Sequence, residues 1–189
     1  MMQELIRKSR SYRRFDESHA IDTATLRKYI DGARLSPTGG NSQPLKFMLS
    51  NTPERNALIS PNLLWAALLK EWGGPKEGER PSAYIIILLD KEIKKDAGID
   101  HGIAAQSIIL SAAEEGLGGC MIGNVKRIPL SKALSIPDRY DILLVIALGK
   151  PAETVIIDDI PTGGDTKYYR TADGAHHVPK RKLDDIILS

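Results

Sequence analysis

The sequence predicts a domain of helices packed on buried strands, and three features of the 189-residue chain carry that expectation. Ala83 to Leu89 is an unbroken apolar run rich in isoleucine, bounded by Pro81 and Asp90, as a central strand covered on both faces requires. Asp100 to Gly116 carries Ile103, Ala104, Ala105, Ile108, Ile109, Leu110, Ala112 and Ala113 around nearly its whole circumference, and a helix apolar all round has to be enclosed by protein. Ile142 to Leu148 repeats the buried-strand signature before Gly149-Lys150-Pro151 ends it. With 42% apolar and 26% charged residues the chain is long enough to bury a core, and no internal repeat or linker divides it, so residues 1–189 are expected to form one domain.

The remaining elements follow in order. Residues 2–8 alternate apolar and charged groups as a short first helix. A second helix is capped by Asp22 or Thr23, with Ile21, Leu26, Ile30 and Ala33 near helical spacing, and is stopped by Ser36-Pro37. Leu45 to Ser50 reads as a short strand, Thr52-Pro53-Glu54 as a helix start, and Leu63 to Trp72 as a partly apolar helix. Gly73 to Pro81 is a breaker-rich polar loop, a lid or a connector. Leu117 to Gly123 contains Gly118, Gly119, Cys120 and Gly123, small residues that permit close backbone approach. The tail from Ala152 onward is polar, with Lys180-Arg181-Lys182 before a last short apolar piece.

Composition excludes several functions. Twenty-six Lys and Arg against 24 Asp and Glu give a formal charge of +2, too even for general attraction to nucleic acid or membrane, so any electropositive site has to be local. The single cysteine, Cys120, allows neither an intramolecular disulfide nor a multi-cysteine zinc site, and its apolar neighbours predict a buried, inert thiol. No signal-peptide pattern opens the sequence and no apolar stretch is long enough to span a bilayer, so the expectation is a cytoplasmic protein. His19 and His101 have no ligand partners at metal spacing, and the adjacent His176 and His177 fall on opposite sides of a strand; no metal is expected. The chain lacks the GxGxxG dinucleotide spacing, the P-loop and a Gly-x-Ser-x-Gly elbow.

Two segments carry chemistry. Arg10-Ser11-Tyr12-Arg13-Arg14-Phe15 sets guanidinium forks and a hydroxyl close enough to converge on one phosphate if the backbone bends there; without that convergence it is a solvated basic surface. Ser36-Pro37-Thr38-Gly39-Gly40-Asn41-Ser42-Gln43-Pro44 supplies positions that tolerate positive φ and amide groups, in Asn41 and Gln43, suited to a heteroaromatic edge; taken alone it is a helix terminator and turn. Together they suggest a site for a phosphorylated, planar ligand.

These segments, with Asp100-x-Gly102 and its long apolar helix, Gly116-Leu117-Gly118 through Ile122-Gly123, and Leu148-Gly149-Lys150-Pro151, occur in an order that resembles the nitroreductase family of FMN-dependent oxidoreductases, from about Arg7 to Lys182. The resemblance implies an α+β fold with a mixed central sheet wrapped by helices, assembled as an intertwined homodimer with FMN at the subunit boundary. It implies that Arg10, Ser11 and Arg13 hold the phosphate, ribityl and pyrimidine parts of FMN. Pro37, Thr38, Asn41 and Gln43 would meet the flavin largely from the opposing subunit, the Met121-Ile122-Gly123 backbone would face the ring, and Lys180 or Arg181 would complete the phosphate site. NADH or NADPH would supply hydride to the flavin, and a small acceptor such as a nitroaromatic or quinone would then take it up on the same face, in ping-pong fashion; no side chain is expected to act as a catalytic acid or base.

Three positions depart from the family pattern. Ser9 stands where a basic residue is common, Leu45 where an aromatic follows Gln-Pro, and Met121 where tryptophan or proline is frequent. Two other readings compete: a flavin carrier or sensor without reductase turnover, and a nucleic-acid-binding arm at residues 8–14, which the charge balance opposes.

Overall fold

In a computed structural model, residues 2–188 are described. Helix α1 (Met2–Lys8) buries none of its residues, and the chain then runs extended to the two-residue strand β1 (Phe15–Asp16). Helix α2 (Thr23–Leu35) is capped by Asp22, whose carboxylate accepts from the Thr25 amide at 2.7 Å. Strand β2 (Leu45–Ser50) leads to α3 (Pro53–Ile59), which starts on Thr52 with Pro53 in its first turn. Strand β3 (Ala83–Asp90) is buried at every position, as its uninterrupted apolar run requires. Helix α4 (Asp100–Glu114) follows, then β4 (Gly118–Ile122), α5 (Arg127–Ala133) and the long β5 (Tyr140–Pro151).

The main sheet is ordered β1-β5-β3-β2, and β4 lies beside β5 on the same edge as β1. All of its ladders are antiparallel; a parallel bridge between Ser11 and Gly119 adds the arginine segment to the outer edge of β4. Alternation along β3 feeds two apolar layers. Ala83, Ile85 and Ile87 pack with Leu26 and Tyr29 of α2 and Ala105, Ile108 and Ala112 of α4, while Tyr84, Ile86 and Leu88 pack with Ile59, Cys120, Val125 and Leu130 on the other face. At roughly 1.5–3 kcal/mol for each fully buried large aliphatic side chain, these layers dominate the stabilising side of the balance.

Two glycines make the turn into β4 possible. Gly116 ends α4 with φ at 74°, and the Leu117 amide returns to the Ala112 carbonyl at 2.9 Å. At Gly119 a Cβ would lie 2.6 Å from the Ala147 carbonyl oxygen and 2.6 Å from Ile109 Cδ1, so β4 passes between β5 and α4 only with hydrogen at that position. Gly119 therefore serves the chain's own packing as much as any ligand.

One expectation is corrected. Leu63 to Trp72 is not a helix: Leu63 forms a bridge with Val125, the Leu64 amide donates to the Asn124 carbonyl at 3.0 Å, and Ala66 turns the chain with φ at 38°. Leu64 and Leu68 stay exposed, while Trp65 meets Trp72 edge-on at 6.4 Å and the Arg170 guanidinium lies 4.4 Å from the Trp72 ring centre. The polar tail, on whose structure the sequence is silent, forms a second sheet in which β8 (His176–Lys180) runs parallel to β6 (Val155–Asp159) and antiparallel to β7 (Tyr169–Arg170). Among the described residues no helix is long and apolar enough to cross a membrane.

Candidate functional site

The arginine segment is held along β4 by its backbone. The Tyr12 amide donates to the Gly119 carbonyl at 3.0 Å, and Glu153, just past β5, accepts from the amides of Arg13 and of Arg14, the latter at 3.1 Å. Glu153 also accepts from the Arg170 guanidinium at 2.8 Å, which ties the tail sheet to the same point. The bend that the sequence reading required is thus imposed by one buried carboxylate and one strand edge.

What this builds is a cavity of about 370 Å³. The arginine segment (Ser9, Arg10, Ser11, Arg13) lines it together with Gln106 and Ile109 of α4, Gly119 and Met121 of β4, and Tyr168, His176, Val178 and Lys180 of the tail. No carboxylate lines it, and among the described residues Arg10, Arg13 and Lys180 form no ion pair. Arg13 is only 9% exposed. Its Nη1 donates to the Ser11 carbonyl at 3.2 Å and to Nε2 of His176 at 2.9 Å, and its guanidinium carbon lies 4.8 Å from the Tyr168 ring centre. A buried guanidinium whose direct contacts are all neutral is favoured by an anion in the cavity. Arg10 donates from Nη2 to the Ile6 carbonyl at 2.5 Å, its buried Nε has no partner, and burial lowers its pKa. A cavity of about 410 Å³ elsewhere differs in character, since its Arg80 faces Glu17 at 3.9 Å.

Burial and the neighbouring Arg13 push the pKa of His176 down to about 4, so the ring is neutral near pH 7. With Nε2 accepting from Arg13, its proton sits on Nδ1, a buried atom with no partner among the described residues. Cys120 is buried and its thiol is pushed up to about 11 by burial, the inert state its sequence context predicted.

Of the residues singled out from sequence, Arg10, Ser11, Arg13, Met121 and Lys180 meet at this cavity. Arg181 does not: it is exposed past the end of β8 and lines no part of the cavity. Ile122 sends its side chain into the core at 5% exposure and Gly123 follows at the end of the strand, so these two offer only backbone; beyond Gly119 no described strand pairs with that outer edge of β4. Pro37, Thr38, Asn41 and Gln43 stand on the loop after α2 and line no part of the cavity of their own chain. That loop is shaped by φ values of 62° at Gly40, 53° at Asn41 and 50° at Gln43, and anchored to α4 where the Gly39 amide donates to Asp100 at 2.9 Å. Sequence reading missed Tyr168, His176, Val178, Gln106 and Ile109. The alternation His176-His177-Val178 was the available signal, and the structure does put His176 inside and His177 on the opposite face, against Asp158 and stacked on Tyr169.

Helices on both faces of an antiparallel sheet, with an acid-free basic cavity at one strand edge, define an α+β protein built to receive an anion beside a flat backbone surface. Residues 6–150 match the sequence model of the nitroreductase family. A curated protein of Methanothermobacter thermautotrophicus, described as a candidate NADH dehydrogenase/NAD(P)H nitroreductase, is 28% identical over 157 residues, which is 79% of this chain and 77% of its own. A nitroreductase family protein of Clostridium novyi NT has a similar structure, 27% identical with a TM-score of 0.66 over 80% of this chain and 86% of its own. An FMN-dependent nitroreductase of Clostridium difficile R20291 is 25% identical with a TM-score of 0.66 over 79% and 87%. The chain belongs to the nitroreductase family, and it is an enzyme of the oxidoreductase class.

Proposed function

We propose that this chain is an FMN-dependent oxidoreductase that takes hydride from NADH or NADPH and delivers it to a small electron acceptor in two half-reactions at one face, as a ping-pong cycle. The observation that supports this most is the cavity that gathers Arg10, Arg13 and Lys180 without a carboxylate. A phosphate ester supplies the missing counter-charge, and arginine forks suit its oxygens. FMN, when bound, supplies the hydride relay itself. Around it, Arg10 and Lys180 hold the phosphate, Ser11 hydrogen-bonds the polar chain, and Arg13 places positive charge where negative charge develops on reduction. The Met121-Ile122-Gly123 backbone offers its unpaired strand edge to the ring.

Pro37, Thr38, Asn41 and Gln43 are assigned to the cofactor of a second protomer, since they line no part of the cavity of their own chain; the working unit is then a homodimer, with residues 1–189 as one domain. No side chain is assigned as acid or base, because His176 is committed to Arg13 and Cys120 is buried and protonated. Protons come from water at the open side of the site. Cytoplasmic work fits the lone reduced thiol.

The test is direct. Protein purified with FMN should show flavin absorbance that bleaches anaerobically on adding NADH or NADPH and returns on adding a quinone or nitroaromatic. Protein that stays colourless after incubation with FMN would sink the reading, and flavin that binds without bleaching would make the chain a flavin carrier or sensor.

A further inference from the structure

We propose that His176 is a positioning residue for Arg13, a neutral clamp that orients the guanidinium toward the bound cofactor while leaving its charge unspent. The inference rests on the FMN reading above, and it starts from the company Arg13 keeps. Buried arginines are ordinarily held by carboxylates. A carboxylate does lie nearby, but Glu153 is turned to the backbone amides of Arg13 and Arg14 and to Arg170, and makes no ion pair with the Arg13 guanidinium. The guanidinium is held instead by three neutral groups: the Ser11 carbonyl at 3.2 Å, His176 Nε2 at 2.9 Å and the Tyr168 ring at 4.8 Å.

The choice of imidazole has a chemical consequence. A carboxylate at this place would form an ion pair and lower the potential the arginine projects into the cavity; a neutral acceptor fixes the same N–H without that loss. The ring is itself immobilised, being fully buried on β8 and packed against Tyr168 with ring centres 5.3 Å apart. The tail is thereby part of the site: it brings Tyr168, His176 and Lys180 to the cavity that Arg10 and Arg13 line, with His176 and Tyr168 directly on Arg13.

Two variants separate positioning from folding. In His176→Gln the terminal carbonyl oxygen reaches the place of Nε2 and accepts the same N–H, whereas His176→Leu keeps apolar bulk and removes the acceptor. FMN affinity, followed by quenching of flavin fluorescence, should stay within about threefold of wild type in His176→Gln and fall by roughly tenfold or more in His176→Leu. In His176→Leu the preference for reduced over oxidised flavin should also fall about tenfold, which is a drop of about 30 mV in midpoint potential for a two-electron couple. A His176→Leu protein with wild-type circular dichroism, wild-type FMN affinity and wild-type potential would overturn the inference while leaving the flavin reading intact. A wild-type protein that takes up no FMN would overturn the flavin reading, and the clamp is then judged on the ligand-free protein by nitrogen NMR. There His176 should hold its proton on Nδ1, and Arg13→Met should shift the Nε2 resonance; an unmoved resonance overturns the clamp.

Discussion

Arg13 and His176 concentrate the residue-scale chemistry. Truncating Arg13 to alanine removes a buried charge from the proposed cofactor contact, and the expected loss is about 2 kcal/mol or more of FMN binding energy, read as a rise in the dissociation constant; unchanged affinity removes Arg13 from the site. His176 also predicts how stability responds to acid. Its pKa lies near 4 in the fold against an ordinary value of 6.5, so between those values the unfolded chain binds the proton and the folded chain does not. Burial, Arg13, Arg170 and His177 all oppose the charged ring, and only Glu153 favours it. The contribution of neutral His176 is therefore complete above pH 6.5 and is lost as pH falls from there toward 4. Melting temperature should decline more steeply over that window in wild type than in His176→Gln, and parallel curves would show that the ring titrates normally.

Elements set where those residues stand, and β4 with α4 does most of it. Ile108, buried completely in α4 against β3, has no room to collapse, so Ile108→Ala should cost about 2–5 kcal/mol in denaturant unfolding. Gly119→Ala is smaller chemically but meets the Ala147 carbonyl, which is backbone and cannot swing aside. It should destabilise by roughly 1–3 kcal/mol and displace the arginine segment bridged to Gly119, so flavin retention should fall with stability in the same protein. A Gly119→Ala protein as stable as wild type would show that β4 moves more freely than its contacts indicate.

For the whole molecule, the decisive property is that Pro37, Thr38, Asn41 and Gln43 line no part of the cavity of their own chain. Leu35 at 70% exposure and Ile99 at 76% flank that loop and the start of α4, an apolar margin suited to a second protomer. Sedimentation should return the mass of two chains. Mixing Arg13→Ala and Asn41→Ala chains under exchange conditions should restore one intact site per mixed dimer, and FMN uptake should reappear; if both residues serve the same chain, mixing restores none.

Most elements were legible because their causes are local. The isoleucine run of β3, the all-round apolar surface of α4, the Asp22 and Thr52 caps and the Pro37 stop each act within a few residues, where periodicity and capping leave few alternatives. The Leu63 to Trp72 misreading has the opposite cause: Leu63 is held by a bridge to Val125 and Trp72 by Arg170, partners far along the chain. The same holds at the site. Arg10, Ser11, Arg13 and Met121 were readable as a cluster of suitable chemistry, but the contact between Arg13 and His176 joins residues 163 positions apart, and composition carries no trace of it. By itself the sequence determined α2, α4, the central strands and the local electropositive segment. Only the tertiary structure decided that the polar tail folds into a sheet, that Lys180 and not Arg181 faces the cavity, and that a neutral ring holds Arg13, because those outcomes depend on long-range pairing and on which face of a strand meets the core.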